Sequence, residues 1–425
     1  MTAAGNIWVK IKANALQIAQ LSRFAATFLS GILIVKLGAQ KNEVAFYESF
    51  LWLSSALSFF WIGGTINAAL SMAKPSEAAT TFLHAFVWLL VQAIIAGSVA
   101  GILYQGRFVF KLLYVCFIIF NAVGFITDYI LYVKKYYPAL IYYSALCFTL
   151  QLLVVVMPFA LSGLIHYCIY GLVAFSFIKF SVVVLLIKKF CTVKFSFSIF
   201  KEVASLSIPI SAAIFVSGSA DYIDGFFVKK FFSEEWFALY RYGSRELPIS
   251  LILANALSAS MVVKITEDFQ SGLYELKKRA ETLAQLLFPL TIILMLCSSI
   301  LMKMLYSAEY ELAANIFRIT LLLIIPRLVF PQTVATALRM GKFIFYSALV
   351  ELALNILLSL ILLKIMGVEG IILGTVIAYC ADKIFLSVAV KIKTGVTLAS
   401  YTPLKTIMIY SLLLLIIFIF SYIYL

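Results

Sequence analysis

Residues 143–157 read YSALCFTLQLLVVVM, and residues 346–360 read YSALVELALNILLSL. The same tetrapeptide opens two apolar runs that lie 203 residues apart in a chain of 425. Four shared letters are expected by chance in so apolar an alphabet, so the surroundings decide whether the match means duplication. At the same offset Gly171 falls on Gly374, Val173 on Val376 and Lys188 on Lys391. A second correspondence opens each half. VKLGAQKNEVAFY (35–47) aligns with VKKFFSEEWFALY (228–240), matching Val35-Lys36 to Val228-Lys229, Ala45 to Ala238 and Tyr47 to Tyr240. The two offsets differ by ten residues, which loop insertions absorb. The unit repeated is a bundle of helices, and the tetrapeptide marks one hairpin within it.

Composition sets the solvent of those bundles. Hydrophobic residues make up 64% of the chain, charged residues 12%, and the mean hydropathy is +1.06. Soluble domains average about half apolar and a quarter charged, so this chain requires lipid. Backbone groups in hydrocarbon must be satisfied within their own segment, and long apolar runs therefore mean helices. Runs of roughly 20 residues between charged or Pro/Gly breaks predict thirteen spans. They cover 13–36, 45–70, 80–104, 112–133, 139–160, 165–187, 203–228, 237–263, 282–304, 312–337, 343–363, 369–390 and 404–424. The longest expected loop is 264–280. The first span follows Lys10 and Lys12 without a small-residue cleavage pattern, and reads as a retained helix with a cytoplasmic N-terminus.

The net charge of +14 follows from topology and calls for no nucleic acid. With the N-terminus inside, 18 basic residues fall in cytoplasmic segments, 8 in the opposite loops and 7 within spans. That bias is the one expected of cytoplasmic loops. The spans divide as an N-terminal six-helix lobe (1–190), a cytoplasmic linker (191–202), a second six-helix lobe (203–395) and a thirteenth helix (396–425). Because six is even, the halves run in the same direction, as in transporters built from parallel repeats. The expected fold is an all-α polytopic membrane protein, with two pseudo-symmetric six-helix bundles around a central cavity plus one extra C-terminal helix.

Catalytic chemistry finds little support. Six cysteines show no CxxC spacing, and His84 and His166 are the only histidines. No disulfide framework, metal site, cofactor or catalytic constellation follows from them. No GxxxxGK[ST] motif is present either, which argues against nucleotide as the energy source.

The charges inside spans carry more information, because each costs roughly 2.5–3.5 kcal/mol at the bilayer centre. The cations are Arg23, Lys179, Arg241, Arg245, Arg318, Arg327 and Lys383; the acids are Asp128, Asp221, Asp224, Glu246, Glu351 and Asp382. A hairpin turn near 232–233 sets Asp224 level with Arg241 and Asp221 level with Arg245. An ion-paired lock between adjacent helices and direct substrate contact both fit those four. Asp128 and Lys179 form a second expected pair, and Asp382 and Lys383 fall near a membrane boundary. Arg23 shares about 80° of helix surface with Gln20, Thr27 and Ser30, a polar stripe suited to a wet cavity. Arg327 stands between Pro326 and Pro331, where the span should break and its freed backbone groups need water or protein. Arg318 lies nearer the outer face, where snorkelling also explains it.

Three stretches resemble the multidrug/oligosaccharidyl-lipid/polysaccharide exporter superfamily, in particular its O-antigen (Wzx-type) flippases. They are FLSGILIVKLGAQKNEVAFYESFLWLSSAL, ADYIDGFFVKKFFSEEWFALYRYGSRELPI and YSALVELALNILLSLILLKIMGVEGIILGTVIAY. The resemblance covers twelve spans and implies two lobes working by alternating access in the bacterial inner membrane. The implied cargo is an undecaprenyl-pyrophosphate-linked oligosaccharide. Membrane lipid, a coupling H+ or Na+ and other polysaccharide-assembly membrane proteins are the implied partners. Guanidinium groups suit a pyrophosphate, which makes Arg23, Arg327, Arg318, Arg241 and Arg245 the substrate-binding candidates. Asp221 and Asp224 are the candidates for coupling or structural pairing. The nearest rival is a cation-coupled drug or metabolite antiporter of the same superfamily, which should present unpaired carboxylates. A membrane enzyme of polysaccharide assembly fits less well, because the expected outer loops are short.

Overall fold

The computed structural model describes residues 15–73, 78–104, 106–190 and 195–424. Lys10, Lys12, Lys74, Lys194 and the linker residues 191–194 lie outside that set. Among the described residues every regular element is helical. Eleven helices are long and apolar enough to cross a membrane, and thirteen spans result if two bent pairs each count as one. Those pairs are Lys41–Ala56 with Phe59–Met72, bent by 45°, and Ala313–Arg327 with Pro331–Ala337, bent by 42°. Each expected span has its counterpart.

One expected loop does not. Residues 264–280 are helical on both sides of Asp268, which ends the helix Pro248–Glu267 and caps Phe269–Leu296 by accepting from the Ser271 N–H at 3.1 Å. Glu275 takes both Lys264 and Arg279, so charges expected in a loop lie along a hairpin of helices.

The chain groups into two compact units that divide between Phe215 and Val216. That boundary lies beyond the expected start of the second lobe at 203. The helix Phe197–Gly218 begins inside the expected linker, and Trp88 anchors it to the first unit by donating from Nε1 to Ser207 Oγ at 2.7 Å.

In the first unit the helix Ala15–Lys36 turns a stripe of small buried residues inward, Ala15, Ala19, Ala26, Ser30 and Gly31. Small residues let backbones approach where lipid removes any hydrophobic drive between helices. Tyr137–Gln151 packs on this helix, and Ser22 donates to the Ser144 carbonyl at 3.1 Å. The first copy of the tetrapeptide is therefore a packing surface.

The repeat is visible within each unit. Gly163 (φ 68°) and Gly367 (φ 63°) each sit in the left-handed region at a hairpin turn. Gly163 precedes His166–Phe190, and Gly367 joins Gly341–Met366 to Val368–Thr394. About two turns further on, Gly171 faces the Val154–Val155 backbone, while Gly374 faces the Leu358–Ser359 backbone. The opening motif agrees: Val35, Ala45 and Tyr47 are buried, and so are Val228, Ala238 and Tyr240.

The thirteenth helix, Leu404–Tyr424, belongs to the second unit and lies along Phe269–Leu296. Thr406 donates to Glu281 at 2.8 Å, Tyr410 stacks on Phe288 with 5.3 Å between ring centres, and the Tyr422 hydroxyl reaches Glu369. Its buried positions, Ile407, Leu414 and Ser421, recur every seven residues and form one narrow seam.

Candidate substrate cavity

The spans of the second unit break where their sequence dictates. Helix Phe197–Gly218 ends at Ser219, and Ala220–Phe231 resumes with Asp221 and Asp224 three positions apart, on one face. Helix Glu234–Gly243 stops before Ser244, and the chain re-enters a helix only at Pro248, which suits a first helical position. The intervening Ser244, Arg245 and Glu246 are thus free of helical geometry. Pro326 and Pro331 divide the next broken span, leaving Arg327 at the end of the short helix Ile324–Arg327.

These breaks surround a cavity of about 490 Å3 within the second unit. Asp221, Asp224, Arg241, Arg245, Glu246 and Arg327 line it, together with Gln332, Ser347, Glu351, Thr375, Tyr379, Asp382 and Lys383. Arg327 is gripped through Nη2 by both carboxylate oxygens of Glu246, one at 2.6 Å. Its Nη1 donates to the Tyr379 hydroxyl at 3.3 Å, and its guanidinium carbon lies 5.1 Å from the ring centre of the same tyrosine. The buried Nε has no acceptor among the described residues. Lys383 pairs with Asp382 at 2.8 Å and sits 4.3 Å from the Tyr379 ring centre, so two cations share one aromatic ring. Asp224, itself buried, accepts from Thr375 and from Asn355 Nδ2 at 3.3 Å.

The cavity gathers Arg327, Arg241, Arg245, Asp221 and Asp224 from the sequence candidates. Arg245 also lies over Tyr242, at 4.6 Å from the ring centre. The expected alignment of Asp224 with Arg241 gives way to neutral donors on two other helices, because Asp224 turns toward Thr375 and Asn355. Asp382 and Lys383, expected near a boundary, are instead a buried pair in the cavity wall, with side chains 6% and 8% exposed.

The other two arginines lie elsewhere. Arg23 is in the first unit, 2.8 Å from Asp128 and over the Phe125 ring at 4.8 Å. Asp128 is thus taken by Arg23, while Lys179 donates to Asn121 at 2.7 Å. Arg318 does not snorkel. It is buried to 1% exposure apart from the cavity lining, with Nη1 on Asn315 at 2.6 Å and Nη2 on Ser299 at 2.8 Å.

Glu246 is the partner that sequence reasoning placed among the acids without assigning it. The break signalled by Gly243 and Pro248 was its only cue. Tyr379, Gln332 and Ser347 carried no cue, and Ser347 belongs to the second copy of the tetrapeptide. Among the described residues no three His, Cys, Asp or Glu side chains converge as a metal site.

Comparison with known proteins gives the fold its relatives. The structure described as "Lipid II flippase MurJ, inward closed conformation" superposes with a TM-score of 0.69 at 19% identity, over 96% of this chain and 92% of that one. An inward-facing multidrug resistance MATE family transporter of the MOP superfamily gives 0.59 at 15% identity, over 87% and 94%. A MOP superfamily transporter from Pyrococcus furiosus gives 0.55 at 13%, over 91% and 95%. These likenesses establish the fold of that superfamily, whose matching members are flippases and transporters. No curated protein gives a significant match. The family model described as "Polysaccharide biosynthesis protein" matches residues 76–315, more than half of the chain. With its many spans and that match, the chain is a multi-pass membrane protein that belongs to the polysaccharide biosynthesis protein family.

Proposed function

We propose that the protein is a flippase that moves a lipid-linked oligosaccharide across the bacterial inner membrane by alternating access, with its N-terminus in the cytoplasm. The cargo in this reading is an undecaprenyl-pyrophosphate-linked repeat unit of O-antigen, capsule or exopolysaccharide. The observation that carries it is the cavity at the broken spans, where three arginines meet in a chain of the polysaccharide biosynthesis family. Arg241 and Arg245 offer guanidinium groups to the pyrophosphate. Arg327 joins them by exchanging Glu246 for a phosphate, since both present two oxygens to one guanidinium. Such an exchange keeps the arginine paired at every stage, which limits its cost in a low-dielectric setting. Arg23 and Arg318 act in this reading as structural cations. Asp224, held by Thr375 and Asn355, is proposed as the coupling group for H+ or Na+.

One observation favours the rival antiporter. Arg327 is neutralised by Glu246, whereas Asp221 and Glu351 make no hydrogen bond or ion pair among the described residues. Reconstituted vesicles separate the two readings. A fluorescent undecaprenyl-pyrophosphate saccharide should cross to the opposite leaflet in a protein-dependent manner. Correctly inserted protein that moves cationic dyes and leaves the lipid in place would refute the flippase.

A further inference from the structure

We infer that the cavity of the second unit also reads the saccharide of the cargo, through Glu351, Gln332 and Asp221, beside the arginines that take its pyrophosphate. The inference rests on the flippase reading and names the part of the cargo that this site recognises.

Charge is the first ground. Five carboxylates and four cations line the cavity, so its wall holds acceptors that an anion cannot use beside the arginines that an anion can. Two of the cations, Arg327 and Lys383, are already matched by Glu246 and Asp382. The groups left open are of another kind. Asp221, Gln332 and Glu351 come from three different helices, Ala220–Phe231, Pro331–Ala337 and Gly341–Met366. None of their side chains makes a hydrogen bond or ion pair among the described residues. An open polar group inside the membrane is costly and faces a wet cavity or a ligand.

Chemistry and size then select the ligand. A carboxylate only accepts, and an amide both donates and accepts. A sugar ring presents many hydroxyl donors, each with its own lone pairs, and so satisfies both types without carrying charge. The volume of about 490 Å3 is many times the roughly 30 Å3 of a water molecule, so a bare coupling ion would not fill it. It falls in the range of about 300–1,000 Å3 usual for organic ligands held by a few placed polar groups. Ser347, one turn from Glu351 on the same helix, adds a small neighbour that leaves room for a ring.

The test is binding in nanodiscs with two probes: the saccharide-bearing lipid extracted from the producing cells, and undecaprenyl pyrophosphate without sugar. Wild type should prefer the first. Glu351→Gln and Gln332→Ala should each lower affinity for it about tenfold, the loss expected for a hydrogen bond to a charged or well-placed group. Affinity for the sugar-free lipid should stay within about twofold in both variants, which also shows that they remain folded. Equal losses on both probes, an unchanged preference in the variants, or no preference in wild type would each overturn the inference. In that case flipping by wild type in vesicles would still stand, so the two readings fail separately.

Discussion

Arg327 joins two roles that a single substitution cannot separate. Its grip on Glu246 is a partly buried ion pair, with side chains 16% and 27% exposed. Removing one partner of such a pair leaves an uncompensated charge and costs about 3 kcal/mol, whereas removing both is often nearly neutral. Arg327→Gln alone should therefore lower the unfolding temperature, and so should Glu246→Gln alone. The double variant should recover most of that loss, which a double-mutant cycle measures as a coupling between neighbours. Flipping should not recover with it. Without the guanidinium fork the double variant is expected to transport at least tenfold more slowly than wild type. Arg327→Lys should behave likewise, keeping the charge but losing the planar pair of donors. A double variant that is stable and transports normally would reduce Arg327 to a structural lock.

Among the elements, the paired hairpins show how one sequence pattern is used in two ways. Gly171 and Gly374 match in register, yet their surroundings differ. A Cβ on Gly171 would lie 2.1 Å from the Val154 carbonyl oxygen, in the π-helical turn Leu152–Val156. A Cβ on Gly374 would lie 2.9 Å from the Ser359 backbone nitrogen, against an uninterrupted helix. The π-turn inserts an extra residue and brings the carbonyl toward its neighbour. Gly171→Ala should thus destabilise more than Gly374→Ala, with overpacking costs of about 1–3 kcal/mol. Thermal unfolding of the purified variants in detergent gives the order directly. The same hairpins divide the roles of the tetrapeptide. Ser144 is buried against the first helix, while Ser347 lines the cavity.

For the whole molecule, the span count was legible because hydrocarbon forces every crossing into a long apolar run. The repeat was legible at its glycines, where a turn or a close approach admits little else. Pairing was not, since Arg23–Asp128, Arg327–Glu246 and Asp224–Thr375 join residues 81 to 151 positions apart. Helical periodicity orders one face of one helix and says nothing of the partner. The hairpin at 264–280 was misread because its charges resemble a loop, although Glu275 neutralises two of them along a helix. Orientation in the membrane rests on basic residues and awaits its own test. The hairpin turns at Gly163 and Gly367 lie in the fifth and eleventh gaps between spans, both odd-numbered, opposite the basic ends of His166–Phe190 and Val368–Thr394. With a cytoplasmic N-terminus, both turns face outward and Lys189 and Lys393 face inward. Single cysteines replacing Ser162 and Met366, in a background without the native six, should react with an impermeant maleimide added outside intact spheroplasts. Cysteines replacing Lys189 and Lys393 should react only after the membrane is opened. The matched behaviour of both pairs is the sharper result, because an odd number of spans between the two turns would invert the second pair and leave the first unchanged.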